Sequence, residues 1–470
     1  MRFFSLLLVF TLSITRLFCQ STSCYFLRDT GTVQSETSNS VIELNDGTIY
    51  VAGVQGNGPY GNDDISLMKT DACGNVLWIK CYGDTLIDQG LGINKTVDGK
   101  LVIIGTSGNI SGGNDIIFLK LDSAGNVLLQ KKYNPASTQS AKRIEQTNDK
   151  GFVFCGFVAD AFGSNDSYAV KIDSAGAVQW FVQVGSTGNE YADAIHELSD
   201  GNFILTGDAN SYGAGGYDVE VVKISSTGNI IWDKTYGDNH NNGCQGIIEL
   251  SNGNYLSYGE TETQSSIIFD FFIEIIDTSG QSVSRHTFGG AAADALFDAV
   301  ELPGMNFLCT GYSRSFNGFS QYDVVLFKVD SAGQMKWLKN IYSPGIDIGY
   351  QMIPSENGDY LITGLFGDNN GNYFVTRTDT VGNTTVGVGN FFNTQQAGIF
   401  PNPFSEKLTV SADNIESITV LNLLGEKIYS VVAQKGSSTC NIDLSFLSLG
   451  QYILSLQTTQ GSINKKITKE

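Results

Sequence analysis

The sequence predicts an all-β chain, a seven-bladed β-propeller followed by a small C-terminal β domain, and three observations carry that prediction. A glycine-centred turn, seen in Lys171–Gly185 as KIDSAGAVQWFVQVG, returns with its glycine at Gly74, Gly125, Gly176, Gly228, Gly280, Gly333 and Gly382, in steps of 51, 51, 52, 52, 53 and 49 residues. A second turn, placed before an apolar run, keeps the same register at Gly47, Gly99, Gly151, Gly201, Gly253, Gly304 and Gly358. The period then stops near residue 386, and a new alternating pattern starts at Ile399. A repeat of about 50 residues built from short alternating apolar segments and glycine-rich turns reads as one four-stranded blade, and seven of them fit one closed ring.

Composition narrows the function. The chain has 470 residues, too many for one ordinary domain, and its 54 glycines with only 7 prolines suit many tight turns. Lys and Arg number 28 against 48 Asp and Glu, a net charge of −20. That balance argues against nucleic acid and against an anionic membrane surface, both of which attract cationic side chains, and it leaves room for a bound cation. The eight cysteines are scattered without a CxxC pair, and the three histidines, His196, His240 and His286, lie in different repeats. The zinc signature is therefore absent.

Taken in order, residues 1–20 carry Arg2, the apolar run Phe3–Ile14 and a polar break, the layout of a cleaved secretory signal. The run is short for a spanning helix, and no later stretch reaches the roughly 20 apolar residues one needs. Residues 21–386 form the propeller. Cys24–Val41 aligns with the D-to-A stretch of later repeats but has no strand C before it. Residues 24–29 are therefore expected to supply strand D of the last blade, which removes an open sheet edge. In the fourth repeat strand A is expected at Ala192–Leu198, B at Phe203–Asp208, C at Val219–Ile224 and D at Ile230–Tyr236. The C–D turn has Asp or Ser three residues before its glycine, because those side chains accept backbone hydrogen bonds while glycine takes positive φ. Trp78, Trp180, Trp232 and Trp337 each follow that glycine by four residues, with Leu129, Ser284 and Val386 in the same column. One aromatic per blade at a fixed place is read as blade-to-blade packing rather than a sugar platform. Residues 387–398 read as a linker.

The C-terminal segment, residues 399–470, holds Pro401-Asn402-Pro403, Leu424-Gly425-Glu426-Lys427, the run from Leu447 through Gly450 to Tyr452, and Lys465-Lys466, in that order. In these blocks it resembles the type A C-terminal sorting domain of Bacteroidota proteins exported by the type IX secretion system. The resemblance implies a small β-sandwich read by the type IX machinery after Sec passage, usually cut off afterwards. It further implies cargo released outside the cell or attached to outer-membrane lipopolysaccharide. The residues agree on the fold, since Ser417–Leu423 and Tyr452–Gln457 alternate as short antiparallel strands do. In an exported chain some cysteines can pair, though their spacing does not choose partners. The repeats also resemble the YGG…D…A…I…DGG…G repeat of exported Bacteroidota proteins, a weak guide to activity because the fold hosts many functions. The Asp-Ser-Ala turns at 122–124, 173–175 and 330–332 resemble an O-glycosylation acceptor of that group, and equally read as plain turn formers.

Two columns could carry chemistry. Glu36, Asp88, Gln139, Glu190, Asn242, Asp294 and Asp347 recur just before strand A. If strand A is innermost, the five carboxylates Glu36, Asp88, Glu190, Asp294 and Asp347 ring one channel mouth and suit Ca²⁺, against the plainer reading that each caps a turn. Three residues on come Asn39, Leu91, Lys142, Asp193, Gln245, Phe297 and Tyr350. A column that differs from blade to blade fits a polar or sugar-like ligand, and it fits ordinary variation in a solvated channel as well. A sialidase-type Asp box fails on spacing, the adjacent cysteines typical of quinoprotein dehydrogenases are missing, and no nucleophile elbow or phosphate loop stands out. The expectation is an exported binding or adhesion module with a glycan or protein ligand. The alternative is a secreted glycan-degrading enzyme working through carboxylates at the channel mouth.

Overall fold

A strand packed on both faces must be apolar along its whole length, whereas an outer strand has only one covered face. Blade 4 shows this gradient: strands B and C, Phe203–Ala209 and Asp218–Ile224, are buried almost throughout, while the residues of D, Ile230–Tyr236, are half-buried or exposed. The computed structural model describes residues 24, 26–30, 36–134, 138–159, 163–263, 268–316, 321–343, 345–355, 358–367, 372–384, 398–422, 427–458 and 461–470. The signal expected at 1–20 and nearly all of the linker expected at 387–398 lie outside these residues.

Every repeat is a four-stranded antiparallel sheet in the order A-B-C-D. Strands A are innermost and touch their neighbours all the way round, blade 7 against blade 1 included, so the ring is closed. The cores lie between blades. Val153, Cys155 and Ala169 of blade 3, for example, pack on Phe203, Leu205 and Val222 of blade 4. The described residues contain only strands and turns, and no helix among them is long and apolar enough to cross a membrane.

The turns follow from their residues. Asp122 Oδ1 accepts the Ala124 and Asn126 N–H groups at 2.9 and 2.8 Å, and Gly125 between them has φ +78°. One member of the second glycine series is displaced: in blade 3 Lys150 takes the left-handed place at φ +67° and Gly151 follows it. The tryptophans pack between blades. A side chain on Gly228 would meet Trp180 of the preceding blade at 2.8 Å, and Trp180 Nε1 donates to Ser226 O at 3.2 Å. In blade 7 this place belongs to Phe26, which lies against Gly74 of blade 1. Val386 falls outside the described residues.

Phe26 stands there because Phe26–Thr30 pairs antiparallel with Asn372–Thr378 as the fourth strand of blade 7. Two further links hold this joint. A disulfide joins Cys24 to Cys73 in the C–D turn of blade 1. Arg377, 2% exposed, donates to Glu43 Oε1 of blade 1 at 2.6 Å and to Ser355 Oγ at 2.7 Å.

The C-terminal strands Gly398–Phe400, Lys407–Leu421, Lys427–Asp443, Gly450–Thr458 and Gly461–Lys469 form one hydrogen-bonded network. It has its own core, which includes Phe404, Leu408, Ile418, Leu454 and Ile467.

Candidate functional site: the central channel

Strand A breaks register at the same height in all seven blades, for example between Ala192 and Ala194. A β-bulge re-aims the extra side chain out of the ladder. The residues at the breaks are Asn39, Leu91, Lys142 with Arg143, Asp193, Gln245, Phe297 and Tyr350, and all of them line a central cavity of about 1130 Å³. The partner strand makes room for the bulge with a glycine. A Cβ on Gly207 would lie 1.9 Å from Tyr191 O, and the same clash, at 1.8–2.0 Å, recurs at Gly53, Gly105, Gly156, Gly259, Gly311 and Gly364. Gly207→Ala is expected to push this backbone apart, costing about 1–3 kcal/mol of overpacking and displacing Asp193. A lowered melting temperature together with a changed environment around blade 4 checks it.

The cavity wall has two characters. On blades 3 to 5, Lys142 Nζ lies 3.0 Å from Asp193, and Gln245 Nε2 donates to Glu260 at 3.3 Å. On blades 6 and 7, Phe297 and Tyr350 meet edge to face at 5.4 Å, and Phe297 also touches Tyr312 at 5.9 Å. Deeper in, Arg143 of blade 3 reaches Asp298 of blade 6 at 3.9 Å. Asp298 is held in turn by the Tyr258 hydroxyl at 2.8 Å and Met352 N–H at 2.9 Å.

Single-column reading missed four residues of this site: Arg143 and Asp298 line the cavity, while Asp208 and Glu260 stand behind the lining, accepting from Cys244 N–H and Gln245 Nε2. Both of these acids directly follow the strand-B glycine, where the other blades carry Val54, Thr106, Phe157, Tyr312 and Leu365. That irregular column was a usable signal. Burial, with Asp193 nearby, pushes the Asp208 carboxyl well above its ordinary range. Burial likewise lifts Glu260 to about 8, while the Asp193 carboxylate raises Lys142.

Glu220, 1% exposed between blades 3 and 4, is also lifted to about 8 by burial. Folded Glu220 and Glu260 therefore keep protons that the unfolded chain, near the ordinary 4.5, has already released. Stability must then fall as pH rises from about 4.5 to 8, because the folded state binds more protons across that window. A melting temperature that declines from pH 5 to pH 8, and declines less in Glu260→Gln, is the expected result.

The first column sits elsewhere. Glu36, Asp88, Gln139, Glu190, Asn242, Asp294 and Asp347 are buried to within 1% of complete and do not line the cavity. Asp88, Glu190, Asn242, Asp294 and Asp347 close their D-to-A corners. Asp88 Oδ2 accepts Asp84 N–H at 2.7 Å, Glu190 Oε2 accepts Ser186 N–H at 3.0 Å and Asp294 Oδ2 accepts Gly290 N–H at 3.1 Å. Asp347 Oδ1 accepts Gly367 N–H at 2.9 Å. The expected ring of Glu36, Asp88, Glu190, Asp294 and Asp347 thus does not line the channel cavity, and Asp88, Glu190, Asp294 and Asp347 are corner caps, each fully buried and turned to backbone N–H groups. No group of three or more His, Cys, Asp or Glu among the described residues is placed to hold a metal ion.

In the C-terminal segment, Asn402 of Pro401-Asn402-Pro403 donates to Lys466 O at 3.0 Å and accepts Thr468 N–H at 2.9 Å. Two motif blocks more than 60 residues apart are thereby joined, with Lys465 and Lys466 exposed beside them. Tyr452 is buried in the core with its hydroxyl on Ser448 O at 2.8 Å, and Gly450 opens its strand at φ +146°. Gly425 lies outside the described residues.

Comparison with known proteins adds the following. A stretch of 205 residues is 23% identical to regulatory protein FlaEY of Caulobacter vibrioides, covering 38% of this chain and 21% of that protein. The fold is similar to that of puromycin hydrolase, at TM-score 0.47 and 10% identity over 81% of this chain and 59% of that one. It is also similar to the β-propeller domain of the Trilobed protease from Pyrococcus furiosus, at TM-score 0.44 and 11% identity over 77% and 100%. Residues 398–470 match the family of the secretion system C-terminal sorting domain, which indicates export by type IX secretion to the cell surface or the extracellular space.

Proposed function

We propose that the exported propeller is a binding module that takes a polar, sugar-like ligand in its central channel. The observation that carries this reading is the set of seven bulges, which turn at least one side chain per blade into a single cavity with an aromatic wall at Phe297 and Tyr350 facing the polar wall of Lys142, Asp193 and Gln245. Sugars present apolar C–H faces and hydroxyl edges, so a site with one wall of each kind matches both. Residues 1–20 would direct the Sec step, and attachment to surface lipopolysaccharide or release would follow removal of the sorting domain.

A second reading, a glycan-degrading enzyme, is favoured by one specific feature. Glu260 keeps its proton near neutral pH beside Asp193, which is paired with Lys142, and a proton-bearing carboxyl near a charged one is the requirement of acid–base glycoside hydrolysis. A glycan-array screen of the purified chain, reading retained binding and released sugar, separates the two. Binding without release, weakened at least about tenfold in Phe297→Ala or Tyr350→Ala, is the expected result, each tenfold being about 1.4 kcal/mol. Sugar release abolished by Glu260→Gln would instead establish the enzyme. Retained binding in both aromatic variants would move the ligand out of the channel.

A further inference from the structure

Across each blade junction the first or second residue of strand C is matched with the first-column residue that opens or directly precedes strand A of the next blade. Read round the ring, the pairs are Asp64/Asp88, Asp115/Gln139, Asp166/Glu190, Asp218/Asn242, Asp270/Asp294, Asp323/Asp347 and Asn372/Glu36. Four are acid with acid and three are acid with amide. None is amide with amide.

The amide junction shows how such a pair is held. Asn242 Nδ2 donates to Asp218 Oδ1 at 3.4 Å, and a Cβ built on Gly237 above them would lie 1.9 Å from Asp218 Oδ1 and 2.8 Å from Asn242 Nδ2. The acid junction one blade earlier has the same geometry. A Cβ on Gly185 would lie 2.1 Å from Asp166 Oδ1 and 2.6 Å from Glu190 Oε2. Where the amide offers an N–H, the acid pair as two carboxylates has only lone pairs. The Oδ1 atoms of Asp64, Asp88, Asp166 and Asp270 are buried without any hydrogen-bond partner, and Asp64 and Asp88 are fully buried as residues. Two buried carboxylates facing one another without a positive charge or a proton between them are strongly disfavoured.

We propose that each acid-with-acid junction shares one proton that does the work of the amide N–H, so that the blade joints tighten at mildly acidic pH and loosen as it is removed. At Asp270/Asp294 and Asp323/Asp347 the nearby cation is Arg314, which lies 5.2 Å over the Tyr322 ring and acts on Tyr312 together with Asp294. At the two junctions tested below, the neighbours are acids and neutral donors with one lysine. Asp63, Asp84 and Cys81 surround Asp64 and Asp88, with Lys132 engaged 3.3 Å away on Asp84. Glu220, Asp233 and Tyr212 surround Glu190. Burial, with the opposing carboxyl, raises Asp64 and Asp270, and burial lifts Asp347 to about 6.

The test uses substitutions that the ring itself employs. In Asp88→Asn and Asp166→Asn the new amide N–H₂ takes the place of the unpartnered Oδ1, while Oδ2 keeps its donor, Asp84 N–H or Gln183 Nε2. Thermal unfolding of the full chain is followed at pH 5 and pH 8, in EDTA and in Ca²⁺. Wild type is expected to melt lower at pH 8, and each variant to narrow that gap by roughly 2 °C while melting no lower than wild type at pH 8. Infrared spectra of the folded wild type should show a protonated-carboxyl C=O band at pH 7, reduced in both variants. The proposal is overturned if both variants melt below wild type by the same margin at either pH, or if that band is missing. It is equally overturned if Ca²⁺ stabilises wild type and not the variants, since a cation then fills the gap.

Discussion

A chain ending before residue 398 is expected to fold its propeller and yet fail to reach the outside of the cell, accumulating in the envelope with near-complete loss of surface or medium protein. The segment removed has a self-contained apolar core and is the part that matches a secretion sorting domain. Fractionation with an antibody to the propeller checks this, and residues 398–470 grafted onto an unrelated secreted reporter supply the converse. Export of the truncated chain at wild-type level would show that the signal lies elsewhere. A milder lesion acts at one residue. Asn402→Ala removes the two hydrogen bonds that hold Pro401-Asn402-Pro403 to the last strand, each contributing about 1 kcal/mol, and export efficiency should fall with the stability of that strand.

The second large effect concerns ring closure. Breaking the Cys24–Cys73 disulfide, by Cys73→Ser or by reductant, is expected to lower the melting temperature by several degrees and expose the N-terminal strand to proteolysis. The bond closes a loop with a sequence separation of 49 residues, for which chain-entropy accounting gives about 4 kcal/mol. It also pins the one strand of blade 7 that is distant in sequence from the other three. The other ties, among them Arg28 to Gly74 O, Thr376 to Phe26 O, Arg377 to Glu43 and the ladder from Phe26 to Thr30, are non-covalent, so the strand can fray once the disulfide is gone. An unchanged melting temperature and digestion pattern would show that those ties suffice.

The parts of this molecule that were legible in the sequence are those fixed by local physics repeated many times. Gly125 and its six counterparts announce turns because positive φ is a property of one residue, and the 51-residue period turns seven such turns into seven blades. The sorting domain is legible for a related reason, since its blocks lie in fixed order within 73 residues. The site was only half legible. Column alignment isolates Asn39, Lys142, Asp193, Phe297 and Tyr350, but says nothing about which way any of them points.

Sequence alone therefore determined the all-β class, the blade number and the export signal, because each rests on contacts between residues near in the chain or on regular spacing. Only the tertiary structure decided which of two neighbouring columns enters the channel. A single bulge, three residues into strand A, sends Asp193 inward and leaves Glu190 in a buried corner, and that bulge depends on the close approach of Gly207 in the partner strand. The Cys24–Cys73 pairing, the reach of Arg143 to Asp298 and the facing of Asp166 and Glu190 are likewise consequences of closing a ring. They join residues that chain spacing keeps apart and that only the packing of one blade against another brings together.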